Sequence, residues 1–258
     1  SCDLAVLCLP DEAAREAVSL IDNPDVKVID TSTAHRVSPN WVYGFPEMTN
    51  GQAELIKSAK RVANPGCYPT GAISLVRPLI ENSLLPSSYP LVINAVSGYS
   101  GGGKSLIKRF EAGENSAPAF YLYGTSLKHK HLPEMQQYIG LDNPPLFSPS
   151  VARYMQGMIV QVPICLRENL NTVISPKKIH DVLTKHYESS EFITVNPLDT
   201  TQSPVELNPE KLNHSNMLEI DVFFNKEETQ CLLTATLDNL GKGASRAAIQ
   251  SMELMLKL

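Results

Sequence analysis

The sequence predicts an α/β protein in two parts: a parallel, helix-covered unit at the start, and a separate mixed or antiparallel sheet after it. Three observations predict this. Residues 3–9 are a continuous apolar run, as expected of a parallel strand covered on both faces. A helix opening at Pro10-Asp11-Glu12 and a second strand at Val26–Asp30 complete a strand–helix–strand unit. Later strands, at 158–166, 217–224 and 230–237, come with few helices between them.

The elements follow in order. Proline and two acids suit the first turn of helix 11–21, whose inner face is Ala13, Ala14, Ala17, Val18 and Ile21. Ligands of such a unit sit beyond the C-terminal strand ends. Those ends are Leu9-Pro10-Asp11 and Thr31-Ser32-Thr33-Ala34-His35-Arg36. The second loop carries hydroxyls and a guanidinium suited to a phosphate or carboxylate; a solvated Arg36 is the plainer alternative. Residues 37–63 read as an irregular loop and a short helix near 53–58.

Asn64-Pro65-Gly66-Cys67-Tyr68-Pro69-Thr70 then sets one cysteine between a rigid turn and a helix start. A helix N-terminus favours a thiolate, the nucleophilic form. The apolar run 72–80 would bury that helix, with a kink expected at Pro78.

Strand 91–96 runs into Ser97-Gly98-Tyr99-Ser100-Gly101-Gly102-Gly103-Lys104-Ser105. Residues 98–105 match G-x-x-x-x-G-K-[ST], so a P-loop nucleotide hydrolase is the rival reading. It lacks a later strand ending in a magnesium-binding Asp, because strand 217–224 continues past Asp221. Either way, exposed N–H groups and Lys104 can hold an anion.

His129 and His131 precede a helix that starts near Pro133-Glu134 and ends at Gly140. That position disfavours an imidazolium, leaving His131 neutral as a base requires. His-x-His also fits two ligands of a metal, but no third ligand set accompanies it. Ser175-Pro176 caps a helix with Ile179, Val182 and Leu183 inward and His180 and His186 on its surface. Strands 217–224 and 230–237 read as a hairpin, and residues 243–254 as a final amphipathic helix.

With 258 residues, 43% of them hydrophobic, the chain can bury a large core. A net charge of −5 without a basic run gives no reason to expect nucleic acid or an anionic membrane as partner. No apolar run is long enough to span a bilayer. Five scattered cysteines without redox or metal spacing point to a reducing compartment, the cytoplasm. Opening directly on a core strand, the chain is expected to be truncated at its start.

Together, NPGCYPT, SGYSGGGK, HKHLPEM and DNLGKGAS resemble the N-acetyl-γ-glutamyl-phosphate reductase family of arginine biosynthesis. CLPDEAAREAV, DTSTAHR and WVYGFPEM are similar to its shorter type. The related aspartate-semialdehyde dehydrogenases lack the Pro-Gly-Cys-Tyr-Pro arrangement. The resemblance implies an incomplete Rossmann-type dinucleotide-binding domain, residues 1–66 completed by 239–258. It also implies a glyceraldehyde-phosphate-dehydrogenase-like α+β domain, 67–238, for catalysis and oligomerisation. The family's glycine-rich fingerprint is expected upstream of Ser1.

The implied chemistry is NADPH-dependent reduction of a small acyl phosphate to a semialdehyde, with release of inorganic phosphate, in a homodimer or homotetramer. Cys67 would be the nucleophile and His131 the acid/base. His129 would hydrogen-bond substrate and Glu134 orient a histidine. Arg36, Tyr123, Lys104, Ser97 and Gly98 would contact substrate; Leu9, Pro10, Ser32, Thr33, Gly98 and Asn239 would contact NADP. No metal is implied. An aminoadipyl substrate in lysine biosynthesis, and a chain left inactive by truncation, are the other readings.

Overall fold

The computed structural model describes residues 2–166, 174–201 and 203–258, and forms two sheets. The first unit contains β1 (Leu4–Leu7), α1 (Asp11–Ser19), β2 (Lys27–Asp30), β3 (Val42–Tyr43), α2 (Gln52–Ser58) and β4 (Arg61–Ala63). Its four strands are all parallel, in the order β1-β2-β4-β3. β1 is not covered on both faces as its composition predicts. It is an edge strand, and Val6 is 43% exposed.

The second unit opens with α3 (Cys67–Glu81), β5 (Val92–Gly98), α4 (Gly103–Glu111), β6 (Phe120–Leu122) and α5 (Leu132–Ile139). It continues with β7 (Leu146–Ala152), β8 (Met158–Cys165), α6 (Pro176–Tyr187), β9 (Ile193–Val195), β10 (Leu218–Phe224) and β11 (Gln230–Leu237). Seven strands run in the order β6-β7-β5-β8-β11-β10-β9. The sheet is mixed: β7 parallels β5 and β9 parallels β10, while the other pairings are antiparallel. β10 and β11 form the expected hairpin, Leu218 opposite Leu237. A π-helical turn, Gly241–Ser245, then leads into α7 (Arg246–Leu256). α7 returns to the first sheet, where Ala248 and Met255 pack with Ile29, Ile56 and Val62.

α3 is the spine of the main core. Its residues Ala72, Ile73, Leu75, Val76 and Leu79 are fully buried, in one cluster with Val160, Val162, Leu233 and Ala235 of the sheet. Gly71 permits this approach, since a Cβ there would lie 2.6 Å from Val160 Cγ2. The helix continues through Pro78 to Glu81. Pro78 has no N–H for the Ser74 carbonyl four residues earlier. The buried Tyr187 hydroxyl donates to that carbonyl at 3.0 Å instead. His180 and His186 of α6 also do more than sit on the surface: their Nε2 atoms lie 2.9 Å from the Asn196 carbonyl and 3.2 Å from the Glu47 carbonyl.

Candidate active site

The turn between β4 and α3 places Cys67 at the first position of a helix with a buried body. Gly66 is the N-cap residue, and its carbonyl accepts from the Thr70 N–H at 2.9 Å and the Thr70 hydroxyl at 2.9 Å. Its Cα is so enclosed that a Cβ would lie 2.6 Å from Arg36 Nη1 and 2.8 Å from His131 Nε2. Glu134 Oε2 would be 3.1 Å away. Residues from two distant stretches thus converge on the turn that presents the thiol.

Glu134, 2% exposed, holds this convergence together. Its Oε1 accepts from the Tyr43 hydroxyl at 2.6 Å and the Gly66 N–H at 2.7 Å. Its Oε2 accepts from Arg36 Nη1 at 3.0 Å. The expectation that Glu134 orients a histidine is therefore corrected, because the guanidinium, phenol and amide occupy the carboxylate. Arg36 is corrected in part. Its guanidinium is buried and also donates to the carbonyls of Asn64 at 2.9 Å and Thr31 at 3.0 Å, so it is no free anion clamp. It acts on Cys67 through its charge instead.

Burial pushes the Cys67 thiol up, outweighing the opposing effects of Arg36 and the Tyr68 N–H. The thiolate expected from the helix N-terminus is thus not the resting form, and the thiol needs a base. His131 is available for that. Burial, then the charge of Arg36, hold it well below the ordinary histidine range, so it is neutral. Burial also lowers His129, to about 4. His129 Nδ1 accepts from the His131 N–H at 3.2 Å, so its proton sits on Nε2. The two rings meet edge to face, 4.8 Å between centroids. Tyr68 and Phe147 pack on His129, and Tyr123 joins them by donating its hydroxyl to Tyr68 at 2.9 Å.

Cys67 opens onto a cavity of about 340 Å³. Its walls include Cys8 and Thr31 at the ends of β1 and β2, the side chains of Arg36, Asn64 and His131, and the backbone of Gly101, Gly103 and Gly243. Asn239 also lines it, but its carboxamide is engaged: Oδ1 accepts from the Gly157 N–H at 2.7 Å and Nδ2 donates to Ser100 Oγ at 3.0 Å. Several expected contacts lie outside these walls. Lys104 is exposed on α4. Ser97 is buried and donates to the Gly98 carbonyl at 3.0 Å. Gly98 is packed so that a Cβ would lie 2.6 Å from Gln156 N. Leu9 and Pro10 are exposed beyond β1. Ser32 is turned to Asp30 and Thr33 to Asp11.

Residues 98–105 do not form a phosphate-wrapping loop. They leave β5 as a 3₁₀ turn, Tyr99–Gly102, before α4. β8 and β11 separate β5 from Asp221 on β10, and Asp221 accepts from Asn196 at 2.8 Å. Among the described residues no three His, Cys, Asp or Glu side chains cluster to hold a metal ion. Among them, too, no helix is long and apolar enough to cross a membrane.

Residues 67–239 match the family model for the semialdehyde dehydrogenase dimerisation domain, and residues 1–58 the model for its NAD binding domain. An N-acetyl-gamma-glutamyl-phosphate reductase from Burkholderia lata is 52% identical over 255 residues, 98% of this chain and 81% of that protein. This chain belongs to the N-acetyl-gamma-glutamyl-phosphate reductase family. The reductase from Brucella suis is likewise 52% identical, over 98% of this chain and 83% of that one. Among solved structures, aspartate semialdehyde dehydrogenase II from Vibrio cholerae superposes with a TM-score of 0.69 at 16% identity. That alignment covers 98% of this chain and 79% of that one, a likeness of fold.

As a member of this reductase family, the chain is an oxidoreductase that uses a nicotinamide dinucleotide, and the cavity fits the nicotinamide end of one. Its glycine walls let backbone approach a flat ring. Asn64 Oδ1, buried and without a partner among the described residues, is an acceptor waiting for a donor such as a carboxamide. His131 Nδ1 is unpartnered in the same way. The sequence reading missed Tyr43 and the Asn64 side chain, whose Nδ2 donates to the Ala244 carbonyl at 2.9 Å. Tyr43 sits on the short edge strand β3, read as loop; only the Val42–Tyr43 pair of β-formers marked it.

Proposed function

We infer that this chain carries out the NADPH-dependent reductive dephosphorylation of N-acetyl-γ-glutamyl phosphate to the 5-semialdehyde, in arginine biosynthesis. The observation that carries this is the shared cavity of Cys67, neutral His131 and Arg36. Cys67 Sγ attacks the acyl carbon while His131 takes the thiol proton, and the C–O bond to phosphate breaks. The acyl group is left as a thioester on Cys67. A reduced nicotinamide dinucleotide held in the cavity would supply a hydride to that acyl carbon, giving the thiohemiacetal oxyanion on Cys67. The C–S bond then breaks, aldehyde leaves, and His131 returns the proton to sulfur. Arg36 favours the anionic sulfur, and the helix N-terminus favours it too. Lys130, exposed and lining the cavity, is placed to meet an arriving substrate anion.

The preference for NADPH rests on the family resemblance, as does the glutamyl substrate. The test is phosphate-dependent reduction of NADP, and separately of NAD, with N-acetyl-glutamate semialdehyde and with its aminoadipyl homologue. Faster turnover with NADP and the glutamyl compound is expected. No reduction of either nucleotide with either aldehyde would overturn the assignment.

The homo-oligomer is read onto the sheet face opposite α3. There Pro163, Cys165, Phe223 and Leu232 border an apolar hollow of about 670 Å³. A second copy covering that face is the expected occupant, and sedimentation equilibrium at micromolar concentration should give at least a dimer mass. A monomer mass would remove this reading.

A further inference from the structure

Gly241–Ser245 is one turn of π-helix, an uncommon conformation concentrated at functional sites. Its inner side is a wall of the nucleophile. A Cβ on Gly243 would lie 2.7 Å from Cys67 Cβ and 3.1 Å from Cys67 Cα. The next carbonyl, of Ala244, holds Asn64. The turn therefore touches Cys67 directly and the preceding turn through one hydrogen bond.

Its outer side carries Lys242, a charged side chain 1% exposed. Lys242 Nζ donates to Glu47 Oε1 at 2.8 Å and to Gln250 Oε1 at 2.8 Å. Gln250 Nε2 donates to the same Glu47 oxygen at 2.8 Å, closing a triangle. The ammonium also lies 5.5 Å from the Phe45 ring centre and 5.4 Å from that of Phe192. Burial lowers the lysine while Glu47 opposes that. A buried ion pair gives little net stability compared with apolar side chains of the same volume. What this one does is join the loop before α2, helix α7 and the segment before β9 to a single point on the turn.

We propose that Lys242 is a positioning residue for the nucleophile: with Glu47 and Gln250 it clamps the π-turn so that Gly243 stays pressed against Cys67. This rests on Cys67 being the nucleophile, which Cys67→Ser tests separately. A turn released from the clamp lets Cys67 leave its place in the cavity it shares with Arg36 and His131. Reactivity at sulfur then changes while substrate affinity does not.

The experiment is peptide-resolved mass spectrometry of Cys67 carboxamidomethylation by iodoacetamide, as a function of pH, in the intact protein. It reads one sulfur among five and needs neither substrate nor cofactor. Lys242→Met removes the charge and keeps the chain length. It is expected to change the Cys67 alkylation rate by about tenfold and to shift its pH profile, with kcat falling and KM steady. Gln250→Leu, which removes one lysine partner, is expected to act in the same direction more weakly. Should Lys242→Met not fold, Gln250→Leu decides alone. An unchanged Cys67 profile and kcat in the folded variant overturn the proposal, whatever happens to thermal stability. A changed profile with no activity in the parent protein would instead sink the assigned reaction and leave the clamp standing.

Discussion

Cys67→Ser loses turnover by at least about a thousandfold and keeps its fold. A serine hydroxyl is a far poorer nucleophile at neutral pH and its ester a poorer partner for hydride transfer. The side chain keeps part of its surface open to the cavity and is nearly isosteric with serine, so α3 is not disturbed. Circular dichroism and the urea midpoint should match the parent. The base is already in place, because His131 stays neutral whichever oxygen or sulfur it faces. The loss is therefore a loss of nucleophile, visible in kcat more than in cofactor affinity measured by calorimetry. Full activity in this variant would end the thioester mechanism.

Glu134→Ala is expected to be the most damaging single change to stability near the site. It leaves the buried Arg36 guanidinium without its counter-charge, a loss of about 3–5 kcal/mol for a broken buried pair. Tyr43 OH and the Gly66 N–H lose their acceptor in the same step. Urea titration checks it, and a midpoint equal to the parent's would show that the network is dispensable. Glu134→Gln keeps the shape and an acceptor oxygen, so it should lie between the two. In that variant the thiol also becomes easier to ionise, since the Glu134 charge is one of the influences raising it.

Local chemistry was the legible part of this molecule. Pro65 and Pro69 restrict the backbone where they stand and Gly66 frees it, each acting locally, so the turn and helix around Cys67 could be read from seven letters. The Pro133 start and Gly140 stop of α5 were read for the same reason; Gly140 adopts φ +89°. Pairings across the chain left no such mark. Arg36 and Glu134 lie 98 positions apart, and nothing in either neighbourhood announces the other. β7 is hard to see in sequence because Ser148, Pro149 and Ser150 break its apolar run, although the strand sits between two partners. Lys104 misled because a glycine-rich match specifies backbone freedom and not the direction in which the chain then turns.

The crowding at Gly66 limits what a protein engineer can alter. Any larger amino acid there must evict the guanidinium, the imidazole or the carboxylate. Retuning selectivity is better begun at the aromatic cluster of Tyr123 and His129, where libraries can vary bulk without unseating the sulfur.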